Sequence, residues 1–279
     1  MSATVQASSP PAPSKLRQML NKVPEVTLYF WIIKILCTTV GETFADYLST
    51  NLNLGLTNTT YIMGVLLLIV LFFQFKAKKY IPGIYWVTVV LISVVGTLIT
   101  DNLTDGFGIS LKITTAVFSV ILAIVFAAWY ASEKTLSVHS IVTTKREAFY
   151  WLTILFTFAL GTAAGDLIAE QFSVGYLNSV LLFTGCIALV TGVYYLIKTR
   201  LAAKHQMQST YAILAFWLAY ILTRPLGASI GDYLSQARSD GGLELGTTVT
   251  SAIFLGAILC LVIHLSVTKK DQIKTAQSA

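Results

Sequence analysis

The sequence predicts an all-α polytopic membrane protein: eight transmembrane helices forming four parallel two-helix repeats around an axis along the membrane normal. Three observations carry this reading: a phrase that recurs four times, a composition suited to lipid, and basic residues gathered at every second helix end. Of the 279 residues, 55% are hydrophobic and 11% charged, with a mean hydropathy of +0.73. A soluble domain carries about a quarter charged residues.

The phrase is an aromatic followed by Trp, a Gly ten residues after the Trp, a small residue four beyond the Gly, and then Asp. It reads Phe30-Trp31, Gly41, Ala45-Asp46; Tyr85-Trp86, Gly96, Thr100-Asp101; Tyr150-Trp151, Gly161, Gly165-Asp166; and Phe216-Trp217, Gly227, Gly231-Asp232. No gap is needed to align the copies. Identical spacing four times means one structural unit used four times.

In chain order, residues 1–24, with Ser, Pro and Ala and no apolar run before a cleavage site, read as a disordered cytoplasmic tail and not a signal peptide. Repeat 1 (25–80) holds apolar stretches at roughly 26–48 and 58–75, and repeat 2 (81–145) at 82–100 and 112–131. Repeat 3 (146–205) holds them at roughly 148–168 and 176–197, and repeat 4 (206–268) at 209–234 and 246–267. Residues 269–279 form a cytoplasmic C-terminal tail. Fifteen of the 19 Lys and Arg lie before the first helix or after an even one, against Lys112 and Arg238 on the other side. The positive-inside rule then places both termini in the cytoplasm. The basic balance is a topology signal, and no nucleic-acid partner is implied.

Two spans per repeat give all four repeats one orientation, so an inverted-repeat architecture is disfavoured. Gly41/Ala45, Gly96/Thr100, Gly161/Gly165 and Gly227/Gly231 form small-xxx-small ridges that let backbones approach in lipid. Gly64, Gly185 and Gly256 on the even helices read as further packing positions. Trp31, Trp86, Trp151 and Trp217 read as interfacial anchors or packing residues, with a ligand-lining role as the minor alternative, and Trp129 as a belt residue. Cys37, Cys186 and Cys260 fall within the spans and read as buried free thiols.

Acidic residues gather at the outer end. Asp46, Asp101, Asp166 and Asp232 end their odd helices, and one turn further come Thr50, Asp105, Glu170 and Gln236. They are either solvated helix ends or an oxygen-rich ring that attracts and partly dehydrates a cation. The fixed register favours the ring, with metal coordination at the four Asp as its sharpest form. Lys34, Glu42 and Arg224 are intramembrane charges without equivalents in the other repeats: Thr38, Ser93, Phe158 and Arg224 share one position, and Glu42, Thr97, Thr162 and Ala228 another. Such charges face the bundle interior, paired or lining a path. Glu42 with Arg224 is either a structural ion pair or a gating pair. Pro225 should bend the seventh helix.

The tandem units, each with its Trp and Gly-x-x-x-small-Asp phrase, resemble the bacterial membrane proteins built from the repeat of unknown function DUF347, over about residues 25–267. The resemblance implies two transmembrane helices per repeat and a place in the bacterial inner membrane; it brings no substrate. No nucleotide loop, hydrolase elbow or zinc-protease motif occurs, so no enzyme activity and no cofactor is expected. Two function classes fit. One is a transporter or channel for a small cation such as a hard divalent metal, Na⁺ or H⁺, since the candidate ligands are all oxygens. The other is a membrane scaffold or sensor with structural acids.

Overall fold

In lipid every backbone N–H and C=O must find its partner within the segment, so long apolar runs become helices. The computed structural model describes residues 21–200 and 205–272 of the protein. Eight of its helices are long and apolar enough to cross a membrane. They are α1 (Leu28–Asp46), α2 (Leu56–Lys76), α3 (Pro82–Asp101), α4 (Leu111–Glu133), α5 (Thr144–Asp166), α6 (Tyr176–Arg200), α7 (His205–Ser235) and α8 (Gly246–Thr268). Local chemistry sets several of their starts. Pro82 opens α3, where its missing N–H costs nothing. Ser110 and Thr143 cap α4 and α5 by accepting from Ile113 N and Arg146 N.

The odd helices form an inner ring and the even helices an outer one. Between 56% and 67% of each odd span is buried, against 6% to 28% of each even span. Around the ring, α1 packs on α3, α3 on α5, α5 on α7, and α7 back on α1. Each even helix lies against the odd helix of the following repeat: α2 on α3, α4 on α5, α6 on α7 and α8 on α1. The units are therefore interlocked.

The phrase glycines make the ring contacts. A methyl group on Gly41 would strike the Ser93 side chain, and one on Gly96 would lie 2.6 Å from Phe158 Cβ. One on Gly161 would strike Arg224 and sit 3.0 Å from Pro225 Cδ, and one on Gly227 would strike Thr38. Each glycine thus receives the residue three positions before the glycine of the next helix, and the fourth hands back to the first. The absent Cβ is what permits this approach. Gly64, Gly185 and Gly256 behave otherwise: a methyl there meets nothing within 4 Å. Among the described residues they are not packing positions, because nothing there meets those faces of the even helices. Helix α7 continues through Pro225, whose ring lies over Gly161 and Gly165 of α5.

The aromatic-Trp pair closes a second ring nearer the basic helix ends. Phe30 packs on Trp86 at 5.7 Å between centroids, Tyr85 on Trp151 at 5.4 Å, Tyr150 on Trp217 at 6.3 Å and Phe216 on Trp31 at 5.6 Å. The residue before each Trp meets the Trp of the next repeat, which explains why the two travel together. Trp86, Trp151 and Trp217 are buried packing residues, and Trp31 is half-buried. Trp129 is fully buried on Trp217 and Phe149 instead of lying in an interfacial belt.

Residues 1–20, most of the expected N-terminal tail, lie outside the described residues. Residues 21–24 are not a loose tail. Asn21, Lys22 and Val23 are buried, and they tie the junctions between repeats together. Lys22 N donates to Ile141 O at 3.0 Å, and Tyr80 N to Asn21 O at 3.1 Å. Lys22 Nζ bonds Glu147 Oε2 at 2.7 Å and Phe75 O at 3.0 Å. Glu25 N donates to Asp271 O at 2.9 Å, and Tyr80 Oη to Asp271 Oδ2 at 2.5 Å.

Candidate functional site

One stripe of each odd helix, at steps of four, looks onto the axis. From the basic end it reads Phe30, Lys34, Thr38, Glu42, Asp46, Thr50 on α1 and its extension, and Phe216, Tyr220, Arg224, Ala228, Asp232, Gln236 on α7 and beyond. On α3 it is Tyr85, Val89, Ser93, Thr97, Asp101, Asp105, and on α5 Tyr150, Ile154, Phe158, Thr162, Asp166, Glu170. Residues four apart stack on one helix face, so each step makes one layer of four around the axis.

The layer nearest the basic end is an aromatic closure. Tyr85 and Tyr150 share a hydrogen bond of 2.6 Å between their hydroxyls, and Phe30 lies against Phe216 at 6.0 Å. Above it Lys34 is 1% exposed, and its Nζ has no hydrogen-bond partner among the described residues. It sits 4.0 Å from the Phe158 ring centre and 4.3 Å from that of Tyr220. Aromatic faces are the substitute partner for a cation taken out of water.

Arg224 fills the next level. Its guanidinium is fully buried, and the other three odd helices all serve it. Nη2 pairs with Glu42 Oε2 at 2.9 Å and donates to Thr162 Oγ1 at 2.6 Å and to Thr97 Oγ1; Nη1 donates to Thr38 O at 3.1 Å. The sequence names Glu42 and Arg224 as partners, and they are. Its reading of Thr97 and Thr162 as mere equivalents of Glu42 misses that they bind the same guanidinium. A planar fork of donors can reach three neighbouring helices at once, which an ammonium does less well.

Above the arginine come the acids. Carboxylate oxygens of Glu42, Asp166 and Asp232, from three different repeats, lie within 4.8 Å of one another. Asp232 is 6% exposed, whereas Asp46, Asp101 and Asp166 are half-buried. Glu42 is within Coulombic reach of all four aspartates. Asp46 and Asp101 stand in the same layer but outside the tight trio. The next layer is looser. Thr50, Asp105 and Glu170 are exposed, Gln236 is half-buried, and Glu170 accepts from Tyr176 Oη at 3.2 Å.

The backbone changes where this layer begins. After α1, α3 and α5 the helix widens to hydrogen bonds spanning five residues: Leu52 N to Tyr47 O, Phe107 N to Asn102 O, and Phe172 N to Leu167 O, at 2.9 to 3.0 Å. Such widened turns recur at functional sites. After α7 the pattern differs, with Gln236 N bonded to Asp232 O at 2.8 Å and a short 3₁₀ turn at Arg238–Asp240. The fourth repeat thus contributes both the axial arginine and an unlike rim.

Away from the axis, Glu147 is fully buried, holding Lys22 on one oxygen and Gln74 Nε2 at 2.9 Å on the other. The sequence reading treats Lys22 only as a topology charge. The available signal was Gln74, an amide in the apolar second half of α2.

No curated protein and no solved structure matches the chain. A family model matches it four times, over residues 29–80, 84–135, 149–200 and 215–271, each copy taking in one aromatic-Trp phrase and the even helix after it. The chain belongs to the family defined by the Repeat of Unknown Function (DUF347).

Proposed function

We propose that this protein carries a small hard cation across a bacterial inner membrane, and that the ion enters through the acid-lined mouth of the odd-helix ring. One observation carries the reading: three carboxylates supplied by three repeats converge within 4.8 Å of one another. Arg224 offsets one of these charges through Glu42, and the like charges that remain so close repel unless a further cation or a proton joins them. Oxygen-only ligands suit a hard ion such as Mg²⁺, Ca²⁺ or Mn²⁺, or Na⁺, better than a thiophilic metal. Asp166, Asp232 and Glu42 are the first ligands, with Asp46 and Asp101 beside them and Thr50, Asp105, Glu170 and Gln236 forming the outer collecting ring. Arg224, paired with Glu42 below, and Lys34 over its aromatic seat bar the path, so the structure fits a state open at the acidic end and closed at the basic one. In this reading the basic end faces the cytoplasm.

The test is flux in liposomes and metal-dependent melting of the purified protein. Wild type should move and be stabilised by at least one of these ions, since a ligand specific to the native state raises the melting temperature by mass action. Asp166→Asn with Asp232→Asn should lose both effects while keeping the fold. In a cysteine-free background, an impermeant thiol reagent on intact cells should reach a Cys at position 240 and spare one at position 77. Wild type that neither moves nor binds any tested ion returns the molecule to the scaffold reading.

A further inference from the structure

A groove of about 760 Å³ opens off the axis, between α1, α6 and α7 near the basic end. Trp31 and Ile35 of α1, Tyr194 and Tyr195 of α6, and Ala215 and Phe216 of α7 line it, with His139 on the rim. Its walls are mainly apolar, with Thr27, Ser137, Thr191 and Thr223 adding polar groups, as in a small-molecule pocket.

The repeat explains why a gap here is informative. Forty-three residues after each phrase Trp stand Gln74, Trp129, Tyr194 and Cys260. Trp129 lies on Trp217 of the repeat two further round, at 5.7 Å. Gln74 shares Glu147 with Trp151, whose indole N–H reaches that carboxylate at 3.5 Å. By the same rotation Tyr194 of α6 stands opposite Trp31; the fourth equivalent, Cys260, is exposed, and Trp86 is buried by other neighbours. Yet Trp31 remains half-buried while Trp86, Trp151 and Trp217 are 1% to 4% exposed. The groove is the space between Trp31 and Tyr194. An unfilled void forfeits its lining's dispersion contacts.

The rim says what fills it. Lys198 is exposed, with its ammonium 6.0 Å from the Tyr194 ring and 5.9 Å from that of Tyr195. It has no acidic partner among the described residues. An apolar trough at membrane depth, ending in a free cation where the basic residues gather, matches a lipid with a negatively charged head. Basic pockets between transmembrane helices recognise such headgroups. We infer that this groove binds an anionic phospholipid of the leaflet at the basic end, acyl chain against Trp31 and phosphate at Lys198. This site is independent of the axial ion path.

The experiment uses the full chain in nanodiscs in which a minor fraction of the lipid carries brominated acyl chains, with tryptophan fluorescence as the readout. Brominated phosphatidylglycerol should quench a component that Trp31→Phe removes. Brominated phosphatidylcholine should need about fivefold more to do the same, the scale set by one basic side chain at an anionic surface. Lys198→Glu should abolish that preference while leaving the melting temperature unchanged, and Ala215→Phe, which fills the trough, should reduce the Trp31 component for both lipids. Equal quenching by the two lipids means unspecific lipid contact. No Trp31-dependent quenching, including the case in which a second copy of the chain covers the groove, also overturns the inference, as does a full Trp31 signal in Ala215→Phe.

Discussion

Arg224 bonds to side chains or backbone of all three other odd helices, so its removal should be felt around the whole ring. Losing one partner of a buried ion pair leaves the other uncompensated, at a cost of about 3 to 5 kcal/mol. Arg224→Met alone should therefore lower thermal stability in detergent sharply, and Arg224→Met with Glu42→Gln should recover a large part of it. A double variant no better than the single one would show that the threonine bonds matter more than the pair. Outside the spans, Asp271 offers a pH test. Burial raises its carboxyl above the ordinary carboxylate range, and the neighbouring Tyr80 hydroxyl is pushed up by its own burial and by that carboxylate. Between the ordinary value and the raised one, the native state binds more protons than the unfolded state, so stability falls as pH rises through this window. Asp271→Asn removes that loss. Its melting temperature relative to wild type should rise from acid to neutral pH, and a constant difference would discount the burial of the charge. At this scale the unique charges were legible, because an isolated Lys, Glu or Arg in an apolar helix must face inward. The seat of Lys34 was not, since Phe158 and Tyr220 are unremarkable aromatics until two helices bring them together.

The helices show a sharper division between glycines. Those of the phrase receive a neighbouring helix, and those of the even helices face open space. Gly161→Leu should cost on the order of 1 to 3 kcal/mol through overpacking against Arg224 and Pro225, whereas Gly185→Leu should leave the melting temperature nearly unchanged. Equal sensitivity of the two would contradict the ring contacts. The existence and number of the helices could be read from apolar length, and the phrase glycines from their fixed distance to the Asp. Spacing along one chain does not say which helix a ridge meets. It gave the same motif meaning to Gly64, Gly185 and Gly256, where the contact does not exist, and it placed Trp129 at the lipid interface when its partner is Trp217, 88 positions later in the sequence.

For the whole molecule, four repeats of one orientation close into a ring of odd helices. The outcome depends on the handing-on rule, by which every even helix and every phrase aromatic serves the next repeat. Its ring contacts join residues 52 to 67 positions apart, and 185 to 189 apart where Phe216 meets Trp31 and Gly227 meets Thr38, and no local pattern carries them. The same rule makes the acid layer a product of assembly, since its closest carboxylates come from repeats 1, 3 and 4. At Trp31 the rule is kept, through Phe216 and through α6 on α7, and yet a groove remains beside it.

The bond from Glu25 N to Asp271 O places the two ends of the described chain side by side, at a seam whose glycine and aromatic contacts are of the same kind as those at the other three. The polypeptide's order is then one of four equivalent ways of threading the same closed circuit. Circular permutation should therefore be tolerated: a chain opened in the exposed stretch between Lys78 and Lys79, with a short linker joining the old ends, should insert and show the helical content of wild type by circular dichroism. A permutant that inserts but fails to form the folded bundle would mean that the ring must be laid down from repeat 1, so that order of synthesis, and not contact alone, determines its closure.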